Sequence, residues 1–363
     1  MMFAPSSAPS RCSQLFEGKK MTLNIRAWVS VALGAALVSG LATAANGQST
    51  LELVKKRGVL QCGISQIAPG FSHLNDRGRR IGFDIDICRA IAAAVLGDSE
   101  KVEFTPLDTN VRFQAVQSGR VDLLSSQTTW TFTRDASLGL DFGPVVFHDG
   151  QGIMVRADLG VKSASELSGA AICLLPGTTS LQNLEDYFRP RSLKYEAVVF
   201  ENSDEWRRAF LAGLCDAITA DRSVIVSVRS MANDPSRYLI LPETISYEPL
   251  APVIRSGDAN WRDIVSWVIY ALITAERKGV TSAQIGSYSE SKDPEILRLL
   301  GASGDFGKMI ALPNTWASNA IKAVGNYGEI FDRHFGPTTS MALDRGPNRL
   351  WTEGGLMFAP PFR

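Results

Sequence analysis

The chain has 363 residues, 45% of them hydrophobic, and its 37 basic and 37 acidic side chains cancel. That length and composition suit a globular protein of about two domains. Balanced charge, with no block of Lys and Arg, removes any electrostatic reason to expect nucleic acid or an anionic membrane as partner.

From Met21, "MTLNIRAWVSVALGAALVSGLATAANGQ" places Arg26 before an apolar run that ends in small residues at Ala42-Thr43-Ala44. This is the layout of an export leader cleaved near Ala44, so residues 1–47 are assigned to it; a membrane anchor is the rival reading of the same run. No Leu-x-x-Cys follows, so no lipid anchor is expected. Past the leader, no stretch reaches the roughly 18 apolar residues of a membrane helix, and "IVSWVIYALITA" (264–275) suits a buried helix. The expectation is an exported protein that works in the periplasm as a monomer.

Residues 58–126 then alternate strand and helix signals. "VLQCGI" reads as a strand. "FDIDICRAIAAAVLGD" reads as a helix with Asp84 as N-cap, Ile87, Ile91 and Val95 on one face, and Gly97 as C-cap. "VEFTPLD" is a strand, "NVRFQAVQSG" a helix and "VDLLSS" a strand, giving βαβαβ and a parallel sheet. Residues 170–221 repeat the scheme: "AAICLL", then "TTSLQNLEDYF" with Thr179 and Gln182 spaced as a capping box, then "YEAVVF", "SDEWRRAFLAG" capped near Ser203, and "DAITAD". Two segments, "FHDGQGIMV" (147–155) and "ISYEPLAPVI" (245–254), read as extended crossings between the halves. "NWRDIVSWVIYALITAERKG" is helical, and 281–363 is rich in Gly, Pro and Asn with short helical pieces. The expected architecture is α/β with two lobes: 48–150 and the returning 248–363 form the first, and 151–247 the second.

Four cysteines follow the leader: Cys62, Cys88, Cys173 and Cys215. An exported chain meets oxidising conditions, and an even count invites pairing in one of three connectivities. Pairs Cys62–Cys88 and Cys173–Cys215 are favoured because each stays inside one half of the repeat. His73, His148 and His334 are scattered and no cysteine spacing resembles a zinc motif, so neither metal nor cofactor is expected.

Parallel α/β sheets bind ligands beyond the carboxyl ends of their strands, and three such ends are polar here. "VDLLSS" runs into "SSQTTWTFTRD", with Ser126, Thr129 and Arg134. "AICLL" runs into "PGTTS", where Gly177 permits close backbone approach and a helix start at Thr178 and Thr179 offers N–H groups to an anion. "DAITAD" delivers Asp221. Arg134 suits a carboxylate and Asp221 an ammonium. Either charge buried alone costs several kcal/mol, whereas a zwitterion between them satisfies both. The inventory therefore points to a free α-amino acid. Each residue also has a plainer reading: a surface ion pair for Arg134, a helix cap for Asp221 and for the threonines. Phe71, in the loop after the first strand, is a candidate ligand contact as well as a candidate core residue, and Trp130 is expected in the core.

"GFDIDICRAIAAAVLGD", "SSQTTWTFTRD", "FHDGQGIMV", "PGTTS", "LAGLCDAITAD" and "GNYGEIFDRHFG" together resemble the family 3 extracellular solute-binding proteins of polar amino-acid ABC transporters. The likeness spans about residues 50–363. The four cysteines and the segment ending "LWTEGGLMFAPPFR" look like the subgroup that binds general L-amino acids. The resemblance implies the type II periplasmic binding protein fold, two α/β lobes on a two-segment hinge, with membrane permease subunits as partners. It also implies that Arg134 grips the ligand carboxylate, that Ser126 and Thr129 touch the amino-acid main chain, that Thr178 and Thr179 donate to the carboxylate, and that Asp221 holds the ammonium. Selectivity positions correspond loosely to Ser65–Ser72 and Asn110, and Arg222 has no assigned role. No Walker A motif is present, so the chain is not expected to be the ATPase. Cyclohexadienyl and arogenate dehydratases are similar to these proteins and supply the enzymatic alternative. A lyase needs a general acid, and the sequence offers the cleft no carboxylate beyond Asp221, so the chain is expected not to be an enzyme.

Overall fold

The computed structural model describes residues 48–363; the expected leader and its cleavage near Ala44 lie outside the described residues. The first elements in chain order are α1 (Thr50–Arg57), β1 (Leu60–Ser65), β2 (His73–Leu74), β3 (Arg80–Ile81), α2 (Phe83–Leu96), β4 (Val102–Leu107), α3 (Arg112–Gln117), β5 (Leu123–Leu124), α4 (Phe132–Ser137), β6 (Leu140–Phe142) and β7 (Phe147–Asp149). The second run holds β8 (Gln151–Arg156), β9 (Ala170–Leu174), α5 (Ser180–Phe188), β10 (Tyr195–Val199), α6 (Ser203–Leu211), β11 (Ala217–Asp221), α7 (Arg222–Ser230) and β12 (Tyr238–Ile240). The chain returns through β13 (Glu248–Leu250) and β14 (Val253–Arg255) to α8 (Ala259–Arg277), α9 (Pro294–Leu299), α10 (Phe306–Met309), α11 (Trp316–Val324) and α12 (Tyr327–Phe335).

Two five-stranded sheets result, ordered β4-β1-β5-β14-β6 and β10-β9-β11-β8-β12. In each, the leading strand pairs in parallel with the next two of its βαβαβ run. The sheets are mixed rather than wholly parallel, because β14 and β8 arrive from the other lobe and run against that core. Between the sheets β7 and β13 form an antiparallel ribbon, with Phe147 opposite Leu250, His148 opposite Pro249 and Asp149 opposite Glu248.

The helix α2 is buried on nearly every side, as its almost unbroken apolar sequence requires. Cys88 ties it to Cys62 on β1, and Cys173 on β9 is joined to Cys215 before β11. It ends at Gly97, whose φ of 72° places it in the left-handed region that glycine occupies without steric cost. Asp84 does not cap it. Gly82 precedes the helix, and the buried Asp84 carboxyl accepts instead from Ser125 Oγ at 2.9 Å and from Gln127 Nε2. Of its two readings Phe71 takes the core one: it is 1% exposed, with ring centroids 4.8 Å from Phe335 and 5.4 Å from Phe147. Its size and apolarity win it a core place, and it does not line the cleft between the lobes. Trp130 lies partly outside the core, 41% exposed and stacked on Phe142.

The segment after α8 packs onto this lobe: α11 lies against α2 and α8, and α12 against α8. Two of its residues reach the ribbon. Tyr327 donates its hydroxyl to Val146 O at 2.9 Å, and Asn348 both accepts from His148 N at 2.6 Å and donates to His148 O at 3.0 Å. Asn348 is 3% exposed, so its loss strands a peptide group where water enters poorly. Asn348→Ala should therefore lower stability by about 1–3 kcal/mol, read as an earlier urea midpoint; an unchanged midpoint would mean that water replaces the amide without cost.

Candidate functional site

A cavity of about 90 Å³ opens between the lobes, well above the roughly 10–15 Å³ that a single water needs, and so admits a small molecule. Its walls are the carboxyl ends of parallel strands, as strand direction requires. From the first lobe come Ser65–Ala68 after β1, Thr109 and Arg112 after β4, and Ser126, Gln127, Thr129 and Arg134 after β5. The second lobe gives Leu175 and Thr178–Ser180 after β9, Trp206 and Arg207 from α6, and Asp221 and Val224 after β11.

The lobes touch across this cavity. Arg134 sits in the first turn of α4, whose Thr131 caps the Arg134 N–H at 3.3 Å. Its guanidinium donates to Thr129 O at 2.9 Å and across the cleft to Gly177 O at 3.1 Å. Arg112 makes a parallel pair of bonds, to Ser126 O at 2.9 Å and Gly177 O at 3.3 Å, and both guanidiniums lie 5.1 Å from the Phe113 ring centroid. Thr109 Oγ1 donates to Pro176 O at 2.8 Å. Gly177 has φ +71°, and a Cβ there would stand 2.5 Å from Thr109 O, so only glycine lets the lobes meet this closely.

Neither guanidinium, nor Asp221, has an opposite charge within 4.0 Å among the described residues. Burial lowers the Arg134 pKa, opposed by Glu248 and Asp221. Arg112 falls to about 9, through burial first and then the neighbouring Arg134 charge. Asp221 moves the other way, well above the usual carboxylate range, because burial and the nearby Asp149 and Glu248 outweigh the attraction of Arg112 and Arg134. Its carboxyl is free for a ligand because it does not cap α7. Asp149 from β7 takes that role, accepting from the N–H and hydroxyl of Ser223.

The second lobe's threonines behave differently from expectation. No capping box forms at α5: Thr179 donates its hydroxyl to Glu248 at 2.9 Å, and Gln182 binds Asp186. Thr178 donates to Leu175 O at 2.8 Å. The protons of both side chains are thus already committed, and the carboxylate donors available at the start of this nine-residue helix are the backbone N–H groups of Thr178 and Thr179, which have no acceptor among the described residues. On the first lobe, Thr129 also donates to Glu248, at 2.6 Å, and Ser126 exchanges a hydrogen bond with Ser65 at 2.8 Å. Arg222 turns from the cavity to Leu241 O and Glu243 O, at 3.0 and 3.2 Å.

Sequence reading missed Arg112, Glu248 and Gln127. Gln127 lines the cleft at φ 37°, a strained conformation for a residue with a side chain. Asp221 remains the one acid that lines the cavity among the described residues, and Glu248, like Asp149, stands close behind it; the signal for Glu248 was a single carboxylate within the otherwise apolar crossing "YEPLAPVI". Arg112 looked like any first-turn helical arginine.

Residues 60–280 match the family model of the bacterial extracellular solute-binding proteins, family 3. The chain belongs to that family. It is 49% identical to the general L-amino acid-binding periplasmic protein AapJ of Rhizobium johnstonii, over 92% of this chain and 98% of that protein. Identity is 50%, with the same two coverages, to the glutamate/glutamine/aspartate/asparagine-binding protein BztA of Rhodobacter capsulatus. Among solved structures, a periplasmic binding protein from Brucella ovis with glutathione bound superposes with a TM-score of 0.85 at 46% identity, covering 87% of this chain and 99% of that one. The family is periplasmic, and its type II two-lobed fold is the one described above.

The raised Asp221 carboxyl has a consequence for the empty protein. Between the unfolded-state pKa near 4 and the higher folded value, the native state holds a proton that the unfolded chain has released, so stability falls as pH rises through that window. Asp221→Asn should raise the ligand-free midpoint at pH 7 and flatten its decline from pH 4 upward, with Asp84 and Asp149, also raised, keeping part of the slope. Thermal melts across that range check this; a lower midpoint for the variant at pH 7 would contradict it.

Proposed function

We propose that this chain is the substrate-binding component of an ABC transporter that captures free polar L-amino acids in the periplasm and delivers them to a membrane permease. The observation that carries the reading is the pair of buried guanidiniums facing an unpaired Asp221 carboxyl across a cavity of about 90 Å³. A zwitterion is the ligand class that completes such a site. Arg134 and the N–H groups of Thr178 and Thr179 take the α-carboxylate, Asp221 takes the α-ammonium, and Ser126 and Thr129 line the main-chain end. Ser65, Gln66, Ile67, Trp206 and Arg207 face the side chain, a mixture of apolar and polar groups that suits several residues rather than one. The amino-acid-binding relatives named above support the same class, and the glutathione of the Brucella ovis protein carries the same α-carboxylate and α-ammonium on its γ-glutamyl end. Ligand holds the lobes together because it contacts both, so closure is a population shift driven by differential contact. The chain acts as a monomer, with its leader removed near Ala44. A dehydratase gains less support, since relatives matching nearly the whole chain are binding proteins.

Thermal shift against the twenty L-amino acids tests this, with glucose as control. A ligand at a hundredfold excess over Kd should stabilise the protein by about 2.7 kcal/mol, and the reading fails if no L-amino acid moves the midpoint. Arg134→Ala should weaken binding at least about a hundredfold, since two charge-assisted hydrogen bonds are lost. Gly177→Ala should still fold, at a cost of about 1–2 kcal/mol for its left-handed backbone, yet weaken binding about tenfold or more, because its Cβ meets the opposite lobe before closure is complete; unchanged affinity would show that the ligand does not require this closed form.

A further inference from the structure

Glu248 is a carboxylate in an unusual position. It opens β13, is 2% exposed, and has no cationic partner within 4.0 Å among the described residues. Four neutral donors satisfy it instead. Oε2 accepts from Thr129 Oγ1 at 2.6 Å and Thr179 Oγ1 at 2.9 Å, while Oε1 accepts from Asn183 Nδ2 and Ser246 Oγ, both at 2.5 Å. Thr129 belongs to the first lobe and Thr179 to the second, and both line the cleft. One acid on the ribbon between the lobes therefore sets the hydroxyl orientation on both sides of the cavity.

A carboxylate accepts and cannot donate, and a hydroxyl has one proton. With that proton committed to Glu248, each threonine presents only lone pairs to the cavity. We propose that Glu248 is a positioning residue for ligand selection: it turns Thr129 and Thr179 into acceptors, so that they join Asp221 around the α-ammonium and do not serve the carboxylate. This rests on the amino-acid reading above. The carboxylate is left to Arg134 and the backbone N–H groups of Thr178 and Thr179. The arrangement rejects acids that lack the amino group, because three sets of buried lone pairs would then face no donor, and a site built to bond an N–H discriminates strongly against the analogue without it.

The test is calorimetric titration of the wild type with L-glutamine, L-glutamate and L-alanine, each beside its desamino analogue: glutaramic acid, glutarate and propionate. The wild type should prefer the amino acid in the tightest-binding pair. Thr179→Val keeps the shape and removes the hydroxyl; it should weaken the amino acid at least about tenfold while leaving the analogue within about twofold. Glu248→Gln replaces one acceptor by an N–H, forcing one threonine proton toward the ligand, and should likewise shrink the preference. Equal losses for amino acid and analogue in Thr179→Val would mean the hydroxyl serves the carboxylate, and would overturn the proposal even if Glu248→Gln fails to fold. An undiminished preference in a folded Glu248→Gln would overturn it as well. If the wild type binds none of the three amino acids, the transport reading itself falls, and this inference with it; that outcome is visible before any variant is made.

Discussion

Arg112, Arg134 and Asp221 are held in one cavity without touching an opposite charge, and an isolated charge out of water costs several kcal/mol. The rest of the structure is arranged around that cost. The guanidiniums offset part of it by donating to the carbonyls of Thr129, Ser126 and Gly177, bonds that fix the planes of both groups in advance. Asp221 receives no such help, and its carboxyl is pushed toward the protonated form. A protein that only needed to fold would have no use for this set. One that must bind a dipolar molecule gains from it, because the ligand then finds its partners already desolvated and oriented.

Holding the two halves in register falls to a short ribbon. Among the described residues only β7 and β13 pair between the sheets, and a two-stranded ribbon alone is a weak element. The chain after residue 280, where the family match stops, strengthens it: Tyr327 binds Val146 O, and Asn348 closes both polar groups of His148. The same segment buries Phe362 among Trp267 and Trp316 on the first lobe. Packing and ribbon are thus coupled, and the C-terminal region braces one side of the crossing while the second lobe keeps its own separate cores.

The repeated βαβαβ pattern made the fold legible, because apolar runs and glycine stops are local signals, and strand direction then predicted which loops meet. That is why Arg134, Thr129, Thr179 and Asp221 all line the cavity the sequence suggested. Side-chain partners were far less legible, since they depend on residues distant in the chain. Asp84 had the spacing of a cap but lies beside Ser125; Thr179 had the spacing of a capping box but lies beside Glu248, 69 residues away. In both cases a buried tertiary partner displaced a local bond that solvent would otherwise have favoured. Phe71 kept two readings for a related reason: an aromatic residue in a loop is ambiguous until the rings around it are known.

Closure must be nearly balanced for such a protein to work, since a ligand shifts an equilibrium only by its differential affinity for the two states. Bonds across the cleft from Arg112, Arg134 and Thr109 favour the closed arrangement, as does the carboxylate of Glu248 gathering Thr129 and Thr179. Against them stands the buried Asp221 carboxyl, which lies near Asp149 and Glu248 without a donor of its own. In the proposed function the ligand ammonium supplies the donor that this carboxyl lacks. On the proposed reading Asp221 therefore does more than add one hydrogen bond, because the cost of its buried and unmatched carboxyl is relieved when an ammonium arrives.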